Sequence, residues 1–508
     1  MSSAGAVDAD IAVVGGGASA ALLVAALRRA IGAQQRVRTP RVVVVERCQR
    51  PPGTGVAYST VEQQHLLNVR ADALGADPQD PGGFVSWCAT KGFSYGVDDF
   101  VPRSRYGQYL NEQLTATCGI DVSVRRADVV ALRARPAGGW TVATTAGDLA
   151  AAAVVLATGN AAPGAPAALA ALGRSGRYVG DPWRTDLAAR ASGIADVLVV
   201  GSGLTMVDVV LTVTAVSPAA RITVVSRHGL LPQAHRRGRD APVSIVTAAQ
   251  ADRGDVDPRE LLRRVRLALA EGAAWRAVVD GLRPVTAQLW GSWSDAQRRQ
   301  ALEHAGRRWE VHRHRMAPAV ADRMAALHRA GRIEIHAGTV HSLVHGADDR
   351  ISYRVRGDAG VGELRQADLV VNATGPAASV VDDSHPLPTS LLTAGYARPG
   401  PLGIGLETDP TGRVRDAAGR VQLRLFAIGS LRRGTLWEST AIPELRSQAV
   451  DIAAQLATLP DATAPDRAPA PDRSPAPDRA TASDCSPEPA TSSRPGDAPS
   501  PVPRAAPV

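Results

Sequence analysis

Lysine is nearly missing from this chain: Lys91 is the only one among 508 residues, and arginine supplies almost all of the 57 basic side chains. That bias matches the amino-acid usage of a GC-rich genome, so the formal charge of +8 says little about partners. The arginines are scattered, and no basic run interleaves with aromatics, which make up only 4% of the chain. Both features argue against a nucleic-acid-binding surface. Cysteine is equally sparse. Cys48, Cys88, Cys118 and Cys485 stand far apart with no C-x-x-C pair, which excludes a disulfide framework, a structural zinc site and a redox-active dithiol. Long apolar runs are absent too. No stretch approaches the ~18 apolar residues of a membrane span. The apolar N-terminus lacks a basic leader and carries Asp8 and Asp10, so it does not read as a signal peptide. A cytoplasmic protein without membrane or nucleic-acid partners is expected, with 45% apolar content sufficient for two or three cores.

What the chain does have begins at Asp10-Ile-Ala-Val-Val-Gly-Gly-Gly-Ala-Ser-Ala20. An apolar run ends in Gly15-x-Gly17-x-x-Ala20, and a small-residue-rich segment without proline follows to Ala30, so strand, tight turn and helix are expected. Gly15 permits the turn, Gly17 lets the backbone approach a pyrophosphate, and Ala20 allows close helix–strand packing. The helix N-terminus would supply N–H groups and dipole to the phosphates. Glu46 closes the next run, Arg41-Val-Val-Val-Val-Glu46, where a carboxylate suits the ribose hydroxyls of an adenosine, with Arg47 beside it. The loop Ile31 to Pro40 absorbs the long spacing to Glu46. These residues read as a dinucleotide-binding fold.

Further along come the glycine-rich loop Pro51-Pro-Gly-Thr-Gly-Val-Ala-Tyr-Ser59 and His65-Leu-Leu-Asn-Val-Arg-Ala71. The loop either makes turns or lies against the ring system of the bound cofactor. A helix is expected from about Pro102, then β-like stretches at 121–132 and 139–145. The buried strand Ala153-Val-Val-Leu-Ala-Thr-Gly-Asn160 returns Thr158 and Gly159 to the first sheet.

A second copy of the pattern follows. Asp196-Val-Leu-Val-Val-Gly201-Ser202-Gly203-Leu-Thr205-Met206 repeats strand, turn and helix, and Arg221-Ile-Thr-Val-Val-Ser-Arg227 is the next strand. At this strand end Ser226 and Arg227 replace the acid of the first fold, and an arginine there can pair with a 2′-phosphate, which favours NADPH over NADH. From Pro258 to Arg332 the periodicity is helical, and Trp275, Trp290, Trp293 and Trp309 are expected as its core in preference to a substrate lid. His312 and His314, two apart, fall on different helix faces, so a shared metal is not expected. Asp368-Leu-Val-Val-Asn-Ala-Thr-Gly375 repeats the Ala-Thr-Gly strand, and Leu423-Arg-Leu-Phe-Ala-Ile-Gly429-Ser430 leads towards a last helix with Pro443 in its first turn. Beyond Leu459 the composition shifts to Pro, Ala, Ser, Asp and Arg, with Pro-Asp-Arg recurring at 465, 471 and 477, and a disordered tail is expected.

Two nucleotide folds, two Ala-Thr-Gly strands and a returning glycine strand resemble the two-dinucleotide-binding-domain flavoproteins. More narrowly, Gly53-Thr-Gly-Val-Ala-Tyr-Ser59, His65-Leu-Leu-Asn-Val69, Gly203-Leu-Thr-Met-Val-Asp208, Trp309-Glu-Val-His-Arg-His-Arg-Met316 and Thr440-Ala-Ile-Pro-Glu444 resemble the YdhS-like FAD/NAD(P)-binding proteins, relatives in outline of the class B flavin monooxygenases. The resemblance implies an α/β fold of two Rossmann-like domains, the NAD(P)H domain inserted into the FAD domain. Its expected parts are residues 8–190 and 366–458 for FAD, 195–365 for NAD(P)H with a helical insertion at about 245–332, and the tail 459–508. By position, FAD would rest on Gly15, Gly17, Ala20, Glu46 and Gly429, with Ser430 at the ribityl chain, and NADPH on Gly201, Ser202, Gly203 and Arg227; Arg47, Thr158, Gly159, Thr205 and Gly375 are further expected cofactor contacts. Asn68 is either the catalytic residue at the reactive flavin edge or a turn-capping asparagine. The Baeyer–Villiger fingerprint is absent: Tyr178-Val-Gly180-Asp-Pro-Trp183 lacks its histidine. The expected activity is an oxidoreductase, foremost a monooxygenase that uses NADPH and molecular oxygen through a flavin C4a-(hydro)peroxide on a small molecule, with amine N-hydroxylation first. A reductase without oxygen insertion and a non-enzymatic flavin-bound sensor remain alternatives.

Overall fold

The computed structural model describes residues 7–32, 39–164, 166–173 and 175–459. The expected tail and Cys485 lie outside the described residues, as does most of the loop before β2.

Strands β1 (Ala9–Val14), β2 (Arg41–Glu46), β3 (Asp121–Arg126), β4 (Val129–Ala134), β5 (Trp140–Thr144) and β6 (Leu149–Leu156) build the first sheet. Its centre is parallel: β1 lies between β2 and β6, in register Ile11 to Val42 and Ile11 to Ala153. The Val- and Ala-rich runs suit strands covered on both faces. One cover is the helix Ala18–Gly32, buried without a break from Ala20 to Leu27 because the last helix, Ile442–Thr458, packs on its other side.

The second sheet uses β7 (Tyr178–Val179), β8 (Asp196–Val200), β9 (Arg221–Ser226) and β10 (Ile333–Ala337). An antiparallel sheet follows, from β11 (Thr339–His345), β12 (Ile351–Gly357), β13 (Gly360–Val361) and β14 (Arg365–Ala367), and then β15 (Leu369–Asn372) re-enters the second sheet. Its order is β10-β9-β8-β15-β7, all parallel. The chain then returns to the first sheet as β16 (Arg413–Arg415) and β17 (Val421–Ala427), with β17 parallel to β6. The fold is thus two Rossmann-like units, the second inserted in the first.

Two expected boundaries move. β15 pairs with β8 and with Tyr178–Val179, so the second unit runs from before residue 190 to Asn372 and does not end at 365. The helical insertion also stops earlier. Helix Pro318–Arg329 sends Val320, Met324 and Leu327 into the core under the second sheet, the i, i+4, i+7 face of a Rossmann helix.

The insertion itself is a set of short helices ending in Arg307–Arg313, which follows a π-helical turn at Leu302–Gly306. It docks on the return segment of the first unit. Trp290, 2% exposed, donates from Nε1 to the Gly434 carbonyl at 2.7 Å and stacks on Trp437 with ring centroids 4.5 Å apart. Arg283 forks onto Glu444 at 2.6 and 2.8 Å, and Arg313 meets Glu438 at 3.1 Å. Of the four expected core tryptophans Trp290 is fully buried, whereas Leu262, Leu267 and Leu269 stay exposed. Among the described residues no helix is long and apolar enough to cross a membrane.

Trp290 carries a buried ring, a stack and a hydrogen bond at one junction. Trp290→Ala is expected to cost about 3–5 kcal/mol, read as a several-degree fall in Tm. An unchanged Tm would mean that the insertion does not rest on this contact.

Candidate cofactor and active site

The first glycine turn is fixed by its neighbours on both sides. Gly15 N–H donates to the Val45 carbonyl and Ala157 N–H to the Val14 carbonyl, both at 2.8 Å. Gly15 has φ +102°, and a Cβ there would strike the Ala157 carbonyl oxygen, so only glycine fits. Gly17 faces the Cα of Gly55 across the turn, at a spacing that leaves 3.4 Å even to an added Cβ. Gly16 N–H donates to Glu46 Oε2 at 2.6 Å and Cys48 N–H to Oε1 at 2.7 Å, which fixes the carboxylate at the strand end. The second turn repeats the construction. Gly201, φ +108°, donates to the Val225 carbonyl at 2.8 Å, Ala373 N–H donates to Val200 at 2.7 Å, and a Gly201 Cβ would strike the Ala373 carbonyl.

One cavity of about 470 Å³ collects most of the expected residues. Its floor is Gly15, Gly17, Thr158, Gly159, Gly429 and Ser430; Glu46, Arg47 and Asn68 also line it, as do Thr205 of the second unit and Gly375, just past that unit's last strand. Beyond Glu46 it continues into a smaller cavity lined by Ala127, Asp128 and His385. His385 Nε2–H donates to the Asp128 carboxylate at 3.0 Å while its Nδ1 accepts from Leu387 N–H, which caps the helix Pro386–Thr393. Gly429 N–H donates to Gln448 Oε1 at 3.0 Å, and the Ser430 hydroxyl donates to the Gly159 carbonyl, tying the two ends of the first unit together at the floor.

Other expected residues are elsewhere. Ala20 is fully buried and serves packing alone. Ser202 turns inward: its hydroxyl reaches the Leu230 carbonyl at 2.7 Å and Ser226 Oγ at 2.8 Å. Gly201 and Gly203 shape the second turn without lining the cavity, and Arg227 is exposed with no ion pair or hydrogen bond among the described residues.

Several further side chains join the site. Arg103 and Asp208 form a 2.8 Å ion pair across the two units, with side chains only 13% and 7% exposed, and both line the cavity. The Arg103 guanidinium also sits 5.9 Å from the Trp183 ring. Buried His65 joins the same junction, its Nε2 at 3.0 Å from Thr212 Oγ1. Asn68 is held by its backbone: His235 Nε2–H donates to its carbonyl at 3.0 Å, while its carboxamide has no partner among the described residues.

The cradle fits a dinucleotide. The turns have no room for side chains, Gly159, Gly203 and Gly375 leave open space where a Cβ would be, and a fixed carboxylate waits at the strand end. Residues 12–161 match the family described as FAD-NAD(P)-binding. No curated protein matches the chain in sequence. Solved structures do. The ornithine hydroxylase of Pseudomonas aeruginosa superposes with TM-score 0.62 at 16% identity, covering 88% of this chain and 98% of that one. L-lysine 6-monooxygenase from Pseudomonas syringae gives 0.61 at 18% identity, over 88% and 99%. The ornithine N-hydroxylase of Kutzneria sp. 744 gives 0.58 at 15%, over 88% and 98%. The chain has the fold of a two-dinucleotide-binding flavoprotein. Among the described residues of this flavoprotein fold, Cys48, Cys88 and Cys118 are free and far apart in sequence, and only Cys48 lines the cavity.

Two imidazoles set an acid limit. Burial pulls His235 down to about 4, with Arg315 adding repulsion, and burial with Arg313 does the same for His314. Both are neutral when folded, whereas in the unfolded chain they protonate near pH 6.5. Their contribution to stability is therefore complete above about pH 6.5 and is lost as pH falls towards 4. A falling Tm with net proton uptake on unfolding is expected across that window, and His235→Gln with His314→Gln should flatten it. A Tm profile unchanged by the double substitution would contradict the assignment.

Proposed function

We propose that this flavoprotein is an FAD-dependent, NADPH-using monooxygenase that N-hydroxylates a small primary amine. The observation that carries the reading is the shared cavity: residues beside both glycine turns, Gly15 and Gly17 from one unit and Leu204 and Thr205 from the other, open onto one space. The neighbours of the same fold support the substrate class, since their names give ornithine and lysine. The resemblance of the quoted motifs to the YdhS-like proteins belongs to the same proposal.

In this reading Gly15, Gly17 and Glu46 serve the pyrophosphate and ribose of FAD, with Ala20 packing the helix close behind the turn and Arg47, Thr158, Gly159, Gly375, Gly429 and Ser430 around the cofactor. Gly201, Gly203, Thr205 and Arg227 serve NADPH, with Ser202 bracing the turn from inside. FAD, when bound, supplies hydride acceptance and oxygen activation. The chain's own part is to bind, orient and dry the site. The Arg103–Asp208 pair clamps the two units with its charges already matched, leaving the cavity little unpaired charge there to hold water. Asn68 is the catalytic residue, its free carboxamide a donor and acceptor at the reacting centre, positioned by the His235 bond to its backbone.

Gly15→Ala should abolish flavin retention while the protein remains expressed at reduced Tm, measured as FAD per chain. Arg227→Ala should lower the NADPH-over-NADH preference in kcat/KM by about tenfold, the loss of one charge-assisted hydrogen bond; an unchanged ratio would remove Arg227 from the site. The deciding assay follows NADPH oxidation, oxygen uptake and product mass across a panel of primary amines. One amine is expected to gain a single oxygen atom and to suppress hydrogen peroxide release. If every amine leaves only peroxide while a quinone is reduced efficiently without oxygen, the chain is a reductase.

A further inference from the structure

The helix Arg307–Arg313 belongs to the helical insertion, yet its first side chain lies on the second glycine turn. Arg307 donates from one guanidinium nitrogen to the Ser202 carbonyl at 3.0 Å, to Ser202 Oγ at 2.9 Å and to the Leu230 carbonyl at 3.0 Å. One terminal nitrogen with two hydrogens shared among three neutral acceptors is weakly held, and a phosphate oxygen would outbid any of them. Its other terminal nitrogen pairs with Glu310 at 3.4 Å, but Glu310 is shared with Arg433 at 3.4 Å, so one carboxylate serves two guanidinium groups. The side chain is 25% exposed.

Position narrows the ligand. Ser202 Oγ is bonded to Ser226 Oγ at the end of β9, so the Arg307 guanidinium reaches, through Ser202, the strand end that Arg227 directly follows in sequence. In a dinucleotide fold that strand end is where the 2′ position of the adenosine ribose is recognised. Arg227 there is exposed and free of partners among the described residues. We propose that Arg307 is a second ligand of the 2′-phosphate of NADP(H), delivered from the helical insertion to face Arg227. The inference rests on the NADPH reading above and adds the residue that completes its specificity.

Two further features suit that role. Arg307 directly follows the π-helical turn Leu302–Gly306, an irregularity of the kind frequent at functional sites. The same helix is fixed to the first unit: Trp309 Nε1 donates to Glu438 at 3.2 Å, and Arg313, at the helix end, pairs with Glu438 with both side chains nearly buried. A phosphate gripped by Arg307 therefore links the second unit to a helix anchored on the first.

The test is calorimetric titration of the FAD-loaded protein with NADP+ and with NAD+, for the wild type, Arg307→Ala, Arg307→Gln and Arg307→Lys. The expected result is a loss of NADP+ affinity of about tenfold or more in the Ala and Gln variants, with partial recovery in Lys and NAD+ affinity within about twofold throughout. Equal weakening of both nucleotides, or no change in either, overturns the proposal. The two readings fail separately. A wild type that binds neither nucleotide removes the NADPH assignment and this one with it. A wild type that prefers NADP+ with variants that keep the preference removes Arg307 alone. Should the Ala variant not accumulate, the Gln variant, which keeps a hydrogen-bonding chain without the charge, gives the same reading.

Discussion

Everything in this molecule is arranged around a contact between a glycine Cα and a carbonyl oxygen, used twice. Gly15 lies against the Ala157 carbonyl and Gly201 against that of Ala373, each at a positive φ that side chains resist. The contact forces the strand after the excursion, β6 in one unit and β15 in the other, to return directly beside the glycine turn. That return puts Ala-Thr-Gly under the turn, and the glycine of each triplet leaves the space above it open. Remove the close approach and there is no floor for a pyrophosphate, whatever residues line the walls.

The two floors face one cavity because of contacts far apart in sequence. The Arg103–Asp208 pair joins a helix of the first unit to the helix after the second turn. Burying such a pair costs desolvation that the mutual attraction only offsets, so its value lies in fixing one arrangement of the units. The helical insertion supplies the second tie through Trp290, Arg283 and Arg313 on the return segment. The same insertion reaches back to Ser202 through Arg307. Thus the cavity has walls from both units, and the insertion touches the elements that frame it.

How much of this was legible in the sequence depends on range. Gly15, Gly17, Glu46 and Thr158–Gly159 obey local rules: an apolar run, a turn needing positive φ, an acid at the next strand end. The sequence order of folds was legible for the same reason, since each motif appears twice. The boundary at 365 was misplaced because nothing local in Asp368–Asn372 says which sheet will take the strand. Periodicity alone runs the insertion on through Pro318–Arg329, because it is the same whether a helix packs on a sheet or on other helices. Ser202 reads as a ligand by position, yet its hydroxyl is spent on Ser226 and Leu230. Arg103 and Arg307 are illegible for a plainer reason. In a chain with 57 basic residues, an arginine acquires meaning only when its partner in space is known.

The central claim is that both nucleotides meet over one cavity, and an anaerobic titration of the purified flavin-loaded protein with NADPH tests it most directly. The account predicts that the oxidised-flavin absorbance bleaches at one NADPH per bound FAD. A flavin that stays oxidised under excess NADPH, in a protein shown to bind that nucleotide, would contradict it.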